Sequence, residues 1–161
     1  MNETIIRGIN NKVPEDGILF NLGDMLFGDK TQIEYWLSRI NCKTHIYIYG
    51  NHCDKIRKNR EYQDLFTWCG DYLEIFVGKK LVCMSHYAMR VWNASHKGSF
   101  MFFGHSHGSL QGIGRQIDVG IDNAYKILGK YEPFSYNEVD SLLKDIPVNH
   151  PDHHNQDTNW K

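Results

Sequence analysis

Long apolar runs, paired cysteines and an excess of one charge are all missing from this chain. No stretch approaches the roughly eighteen consecutive apolar residues of a membrane span, and the N-terminus shows no basic-then-apolar leader. The four cysteines, Cys42, Cys53, Cys69 and Cys83, have no CxxC spacing. That excludes a zinc ribbon or a thioredoxin-like motif and fits reduced thiols in a cytoplasmic protein. Lys and Arg number 18 against 19 Asp and Glu, a net charge of −1 with the signs interleaved. Such a balance argues against a dedicated nucleic-acid coat or a polybasic membrane binder, while leaving room for a local basic patch. Internal repeats and linkers are also lacking. The 161 residues therefore read as one domain over 1–146 and a polar, period-free tail over 147–161.

What is present is a core-forming composition, with 41% hydrophobic residues. Apolar residues at 5, 6, 9 and 13 predict an amphipathic helix in "NETIIRGINNKV", with Asn2 placed to cap it. "ILFNLGD" reads as a buried strand ending at Gly23-Asp24, and "DKTQIEYWLSRIN" as a helix with Ile33, Trp36, Leu37 and Ile40 on one face. "THIYIYGNH" is a second strand, followed by a charged helix over "DKIRKNREYQDLFTWC". The period then changes. Two apolar runs joined at "GKK" in "YLEIFVGKKLVCMSH" predict a β-hairpin. "SFMFFGH" and "RQIDVGID" predict further strands, and "SYNEVDSLLKDI" a final helix with a Ser cap. A chain that is βαβα-like first and β-rich later suits a mixed α/β sandwich better than a doubly wound sheet.

Four predicted strands end on a group that binds cations or protons: Asp24, Asn51 with His52, His86, and His105. Ligands collect beyond the carboxyl ends of strands in α/β sheets. Gly23, Gly50 and Gly104 come just before three of these groups, where a missing Cβ allows a sharp turn and close approach. In "GHSH", an extended backbone would point His105 and His107 the same way, about 6.5 to 7 Å apart. Each could then reach one of two cations held roughly 3.5 to 4 Å apart. Mixed oxygen and imidazole donors suit Mn, Fe, Zn or Ni better than Mg or Ca.

The run "LGD" (22–24), "GNH" (50–52), "SH" (85–86) and "GHSH" (104–107) resembles the calcineurin-like metallophosphoesterases, especially short bacterial and phage members. That family's pattern is D-x-H, GD, GNH, a lone His and GHxH, and the resemblance covers the chain to about residue 140. It implies the family's α/β sandwich, with mixed sheets flanked by helices. It also implies Asp24 as a bridging metal ligand, Asn51, His86 and His105 completing one divalent-metal site, and His107 belonging to a second. His52 becomes the acid that steadies or protonates the leaving oxygen. The implied activity is hydrolysis of phosphate mono- or diesters, small phosphoesters or nucleotides, by hydroxide that the metals make available at neutral pH. The implied setting is the cytoplasm of a bacterial or phage-infected cell.

The D-x-H element has no counterpart, so the first strand of the family fold is expected to be missing and the first metal site keeps only Asp24 and His107. Three accounts stand side by side: a start upstream of Met1, a short one-metal or inactive form that binds a phosphate ligand or a protein, or replacement ligands from His150, His153 and His154 or a neighbouring subunit. Loss of an internal strand would leave an edge open to homodimerisation. In "GNHCD", Cys53 takes a place that is usually acidic, leaving Asp54 to orient His52. "KIRKNR" (55–60) reads either as a solvated helix face or as a grip on nucleotide or nucleic-acid phosphates, and Arg90 either as a phosphate contact or as a structural ion-pair partner.

Overall fold

The computed structural model describes residues 3–25 and 28–148, which form two sheets flanked by helices. The first sheet is wholly parallel: β1 (Ile18–Asn21) pairs with β2 (Thr44–Ile48), and β2 with β3 (Trp68–Gly70). Parallel neighbours need crossovers. Helix α2 (Lys30–Ser38) supplies the first, and α3 (Asp54–Lys58) with α4 (Arg60–Gln63) the second. In the second sheet, β4 (Tyr72–Val77) and β5 (Lys80–Ser85) form the expected antiparallel hairpin. Strands β6 (Phe100–Phe103) and β7 (Gln116–Asp118) then add in parallel. Helix α1 (Glu3–Lys12) precedes β1, and α5 (Ile121–Leu128) and α6 (Tyr136–Leu143) follow β7.

Alternation along the strands feeds more than one apolar layer. Phe20, Ile48 and Trp68 of the first sheet meet Val82, Met84, Phe100 and Phe102 of the second, and Val139 and Leu143 of α6 join them. The intervening residues face outward. Tyr47 packs with Ile33 of α2 and Ile56 of α3, Leu19 packs with Ile9 of α1 and Ile40, and Cys83, Met101 and Phe103 pack with Trp92. The central strands β2, β5 and β6 are thus covered on both faces and read as near-continuous apolar runs, while Glu74 and Phe76 of β4 stay exposed. Capping boxes start two helices: Asp29 with Gln32 at α2, and Ser135 with Glu138 at α6. Lys12 of α1 pairs with Glu138 at 2.5 Å, tying the first helix to the last.

Two expectations need correction. The helix expected over 54–69 is broken at Asn59, whose backbone is extended (φ −129, ψ 117). Its amide donates to the Lys55 carbonyl at 2.7 Å, and Gln63 Nε2 donates to the Ile56 and Arg57 carbonyls. Side-chain amides thereby replace the continuing helical bonds, and residues 68–70 become the third parallel strand. The strand expected over 115–122 ends at Asp118, and Ile121 opens a helix instead. Gly120 stands at its N-cap and Gly129, at φ 73, at its C-cap, with Ala124 buried between them. The expected cap at Asn2 and the histidines at 150, 153 and 154 lie outside the described residues.

β1 and β7 are edge strands of their sheets. Near the Ile18 end of β1 an apolar cavity of about 300 Å³ opens between the sheets, lined by residues such as Val77, Val82, Phe102 and Phe134. Helix α1 approaches the chain closely at Gly8, where a Cβ would overlap the Tyr131 carbonyl and sit 3.4 Å from Glu132 Cα. Helix propensity favours Ala over Gly by about 1 kcal/mol, whereas overpacking against backbone costs about 1–3 kcal/mol. Gly8→Ala is expected to lose up to about 2 kcal/mol of stability in urea unfolding. A more stable variant would show that the contact with residue 131 does not constrain α1.

Candidate metal site

Four chain segments end at one place. Asp24 follows β1, Asn51 follows β2, His86 follows β5 and His105 follows β6. Their approach is close enough to demand bare backbone. A Cβ on Gly23 would overlap His86 Nδ1 and lie 2.8 Å from Gly50 N and Cα, and one on Gly50 would overlap the Asp24 carboxylate. Non-glycine residues with positive φ among the described residues are Asp24 (58), Ala94 (55), His105 (62) and His107 (50). Three of these four are candidate ligands. Strain of this kind, about 1 kcal/mol or more per residue, persists where surrounding structure imposes it and gathers at functional sites.

Hydrogen-bond counting shows what the cluster lacks. His86 is 3% exposed and directs Nδ1 at the Leu22 carbonyl, 2.7 Å away. A carbonyl only accepts, so Nδ1 carries the proton and Nε2 of the neutral ring presents a bare lone pair. That Nε2 lies 2.9 Å from Asn51 Oδ1, 3.3 Å from Asp24 Oδ2 and 3.2 Å from His105 Nδ1. His105 Nδ1 is also 3.0 Å from Asn51 Oδ1. A single proton on His105 Nδ1 cannot serve all of these contacts. The ligand atoms of Asp24, His86 and His105 lie within 4.8 Å of one another. Converging acceptors with too few protons between them fit a cation, and the donor set of carboxylate, amide oxygen and two imidazoles fits a transition metal or zinc.

Supporting contacts hold each ligand in place. Asp24 Oδ1 accepts from the His52 backbone N–H at 3.0 Å and from the Cys53 thiol at 3.4 Å. Burial pushes the Cys53 thiol up from its ordinary pKa, keeping it a donor. Tyr87 packs edge-on against the rings of His86 and His105, with centroids 4.8 and 4.6 Å away. The loop bearing His105 and His107 hangs on Asp118, a carboxylate at the end of β7 that is 2% exposed. Asp118 Oδ2 accepts from Ser106 Oγ at 2.5 Å and Gly108 N at 2.8 Å, and Oδ1 from Gly120 N at 2.7 Å.

Of the residues singled out by sequence, Asp24, Asn51, His86 and His105 come together and His107 does not. The extended geometry expected for "HSH" is absent: β6 stops at Phe103, and His105 and His107 are both left-handed. His107 instead meets Asp122 of α5, Nδ1 to Oδ2, at 2.6 Å. His52 is exposed, and its backbone N–H is what reaches Asp24. Asp54 pairs with Lys58 at 2.6 Å within α3. Arg90 is exposed on the loop after His86 and does not line the cleft beside the cluster. The basic segment is occupied in the fold: Lys55 reaches the Gly28 carbonyl, Arg57 pairs with Asp71 over the Tyr49 ring, and Arg60 pairs with Asp64. Tyr87, Asp118 and Asp122 were not singled out. Asp118 carries the same signal as the others, a polar residue ending an apolar strand.

A cleft of about 400 Å³ runs from the cluster between α1, β1 and the start of α5, its walls including Ile5, Ile9, Phe20, Trp36, Val119 and Ile121. His107 and Asp122 also line it.

No family model and no curated protein matches the chain. Among solved structures, it is similar to a protein of unknown function, AQ665, from Aquifex aeolicus. The TM-score is 0.60 at 19% identity, over 86% of this chain and 83% of that one. The two share a fold, and at that identity the likeness extends no further.

Asn51 holds no backbone clamp, so its removal tests the ligand set without dismantling the sheets. Asn51→Ala is expected to weaken Mn²⁺ binding in calorimetric titration by about a hundredfold or more while circular dichroism stays unchanged. Equal affinity in the two proteins would remove Asn51 from the site.

Proposed function

We propose that this chain is a calcineurin-like, divalent-cation-dependent hydrolase of phosphate mono- or diesters. The observation that carries the reading is the convergence of Asp24 Oδ2, Asn51 Oδ1, His86 Nε2 and His105 Nδ1 with too few protons to satisfy one another. These residues would hold one Mn, Fe, Zn or Ni ion. Such an ion, when bound, acidifies water and offsets negative charge on phosphoryl oxygens. The chain's own contribution is positional. The Leu22 carbonyl fixes the His86 tautomer, the His52 amide and the Cys53 thiol orient Asp24, and Asp118 holds the histidine loop. His52, exposed beside Asp24, is the group proposed to hand a proton to the leaving oxygen. A small phosphoester is the proposed substrate, matching the cleft of about 400 Å³ beside the cluster.

A second reading has its own support. Among the described residues one group of three or more His, Cys, Asp or Glu is arranged to hold an ion, and His107 lies outside it. A single-ion relative that binds a phosphate ligand without hydrolysing it would have this arrangement.

Metal content and turnover separate the two. The hydrolase is expected to cleave bis-p-nitrophenyl phosphate with added Mn²⁺ and to lose that activity to chelator. His52→Ala is expected to slow it by about 10²–10⁴-fold with metal content intact. One bound Mn²⁺ without turnover would select the binding module, and failure to bind any of Mn²⁺, Fe²⁺, Zn²⁺ and Ni²⁺ would refute both readings.

A further inference from the structure

The pair of His107 and Asp122 has no part in the four-residue cluster, yet both line the cleft beside it. A carboxylate only accepts, so the 2.6 Å contact between His107 Nδ1 and Asp122 Oδ2 requires the proton on Nδ1. In the neutral ring, Nε2 is then left as a lone pair. The backbone at this point is already fixed by other groups. Lys126 Nζ donates to the carbonyls of His107 and Gly108 at 3.1 and 3.0 Å, and Asn123 Nδ2 to the Asp118 carbonyl at 2.6 Å. Asp118 in turn holds Ser106 and Gly108 N. With the left-handed turn at His107 secured by these contacts, what remains for Asp122 to determine is the rotamer and tautomer of the imidazole.

Stability does not explain the contact. The side chains of His107 and Asp122 are 79% and 45% exposed, and pairs so wetted contribute little to folding. An Asp in the first turn of α5 would interact favourably with the helix dipole without touching a histidine. A short, directed bond to an exposed ring on a cleft wall is the arrangement that presents one chosen nitrogen to whatever enters.

We infer that Asp122 is a positioning residue that locks His107 as the Nδ1–H tautomer, so that Nε2 presents its lone pair to a proton-bearing group or to the cation entering the cleft with a phosphoester. This rests on the phosphoester-hydrolase reading for what His107 meets, but not for the tautomer. The test uses the full chain and its Asp122→Asn and Asp122→Glu variants. Long-range ¹H–¹⁵N correlation spectra of the histidine rings report the tautomer directly. The wild type should show His107 protonated on Nδ1 alone, Asp122→Asn a mixture, and Asp122→Glu the wild-type pattern. With bis-p-nitrophenyl phosphate and Mn²⁺, Asp122→Asn should lower kcat about 10–100-fold with KM and Mn²⁺ affinity at Asp24, Asn51, His86 and His105 little changed. Asp122→Glu should recover most of the loss. A His107 tautomer that is mixed in the wild type or unchanged in Asp122→Asn overturns the inference, as does full turnover in Asp122→Asn where His107→Ala is slow. Should the wild type hydrolyse nothing, the hydrolase reading fails while the spectra still decide the role of Asp122.

Discussion

The hydrogen bond from His86 Nδ1 to the Leu22 carbonyl, at 2.7 Å, is the contact on which the rest of the site depends. It joins the end of the second sheet's β5 to the end of the first sheet's β1. It also removes the only proton of a neutral, buried imidazole from the side that faces Asp24 and Asn51. One bond therefore links the two sheets at the site and determines that His86 offers a lone pair. A packing contact in its place would leave the ring free to carry its proton on Nε2, where it would satisfy Asn51 and close the site to a cation.

Around that bond the backbone is crowded to a degree that only glycine permits. Gly23 lies against His86 and Gly50, and Gly50 against the Asp24 carboxylate. The strain at Asp24, His105 and His107 is the counterpart of this crowding. Folding alone gives no reason to place three side-chain-bearing residues in left-handed conformation at one edge of a sandwich. The buried Asp118 offsets part of the cost by gathering the Ser106 hydroxyl and the Gly108 and Gly120 amides around one carboxylate.

The described strands other than β3, the hairpin and the four residues that converge were legible in the sequence, because each signal was local. Apolar runs ending in a glycine and a polar residue mark the strands and also their functional ends. The missed parts turn on competition between local forces. Asn59 breaks a helix by bonding Lys55, although the charged residues around it favour one. Gly120 and Gly129 bound a helix whose apolar start continued a strand pattern in "RQIDVGID". The extended geometry expected for "GHSH" fails at His107, which is left-handed. Its true geometry follows from Asp118, Asn123 and Lys126, residues 11 to 19 positions away whose hold on the loop has no short-range signature. Likewise the basic run 55–60 reads as a solvated helix face or a phosphate grip, and the contacts of Arg57 with Asp71 and Tyr49 arise only by folding.

The separations along the chain have a consequence for how this region comes into being. His86 meets Leu22 across 64 residues, His105 meets Asn51 across 54, and His86 meets Asn51 across 35. No half-built sandwich owns more than part of the ligand set, since Asp24 and Asn51 belong to one sheet and His86 and His105 to the other. Closing such distant contacts is slow and belongs to the final docking of the sheets. An ion captured here would stabilise the finished chain alone, making occupancy and global unfolding two views of one equilibrium.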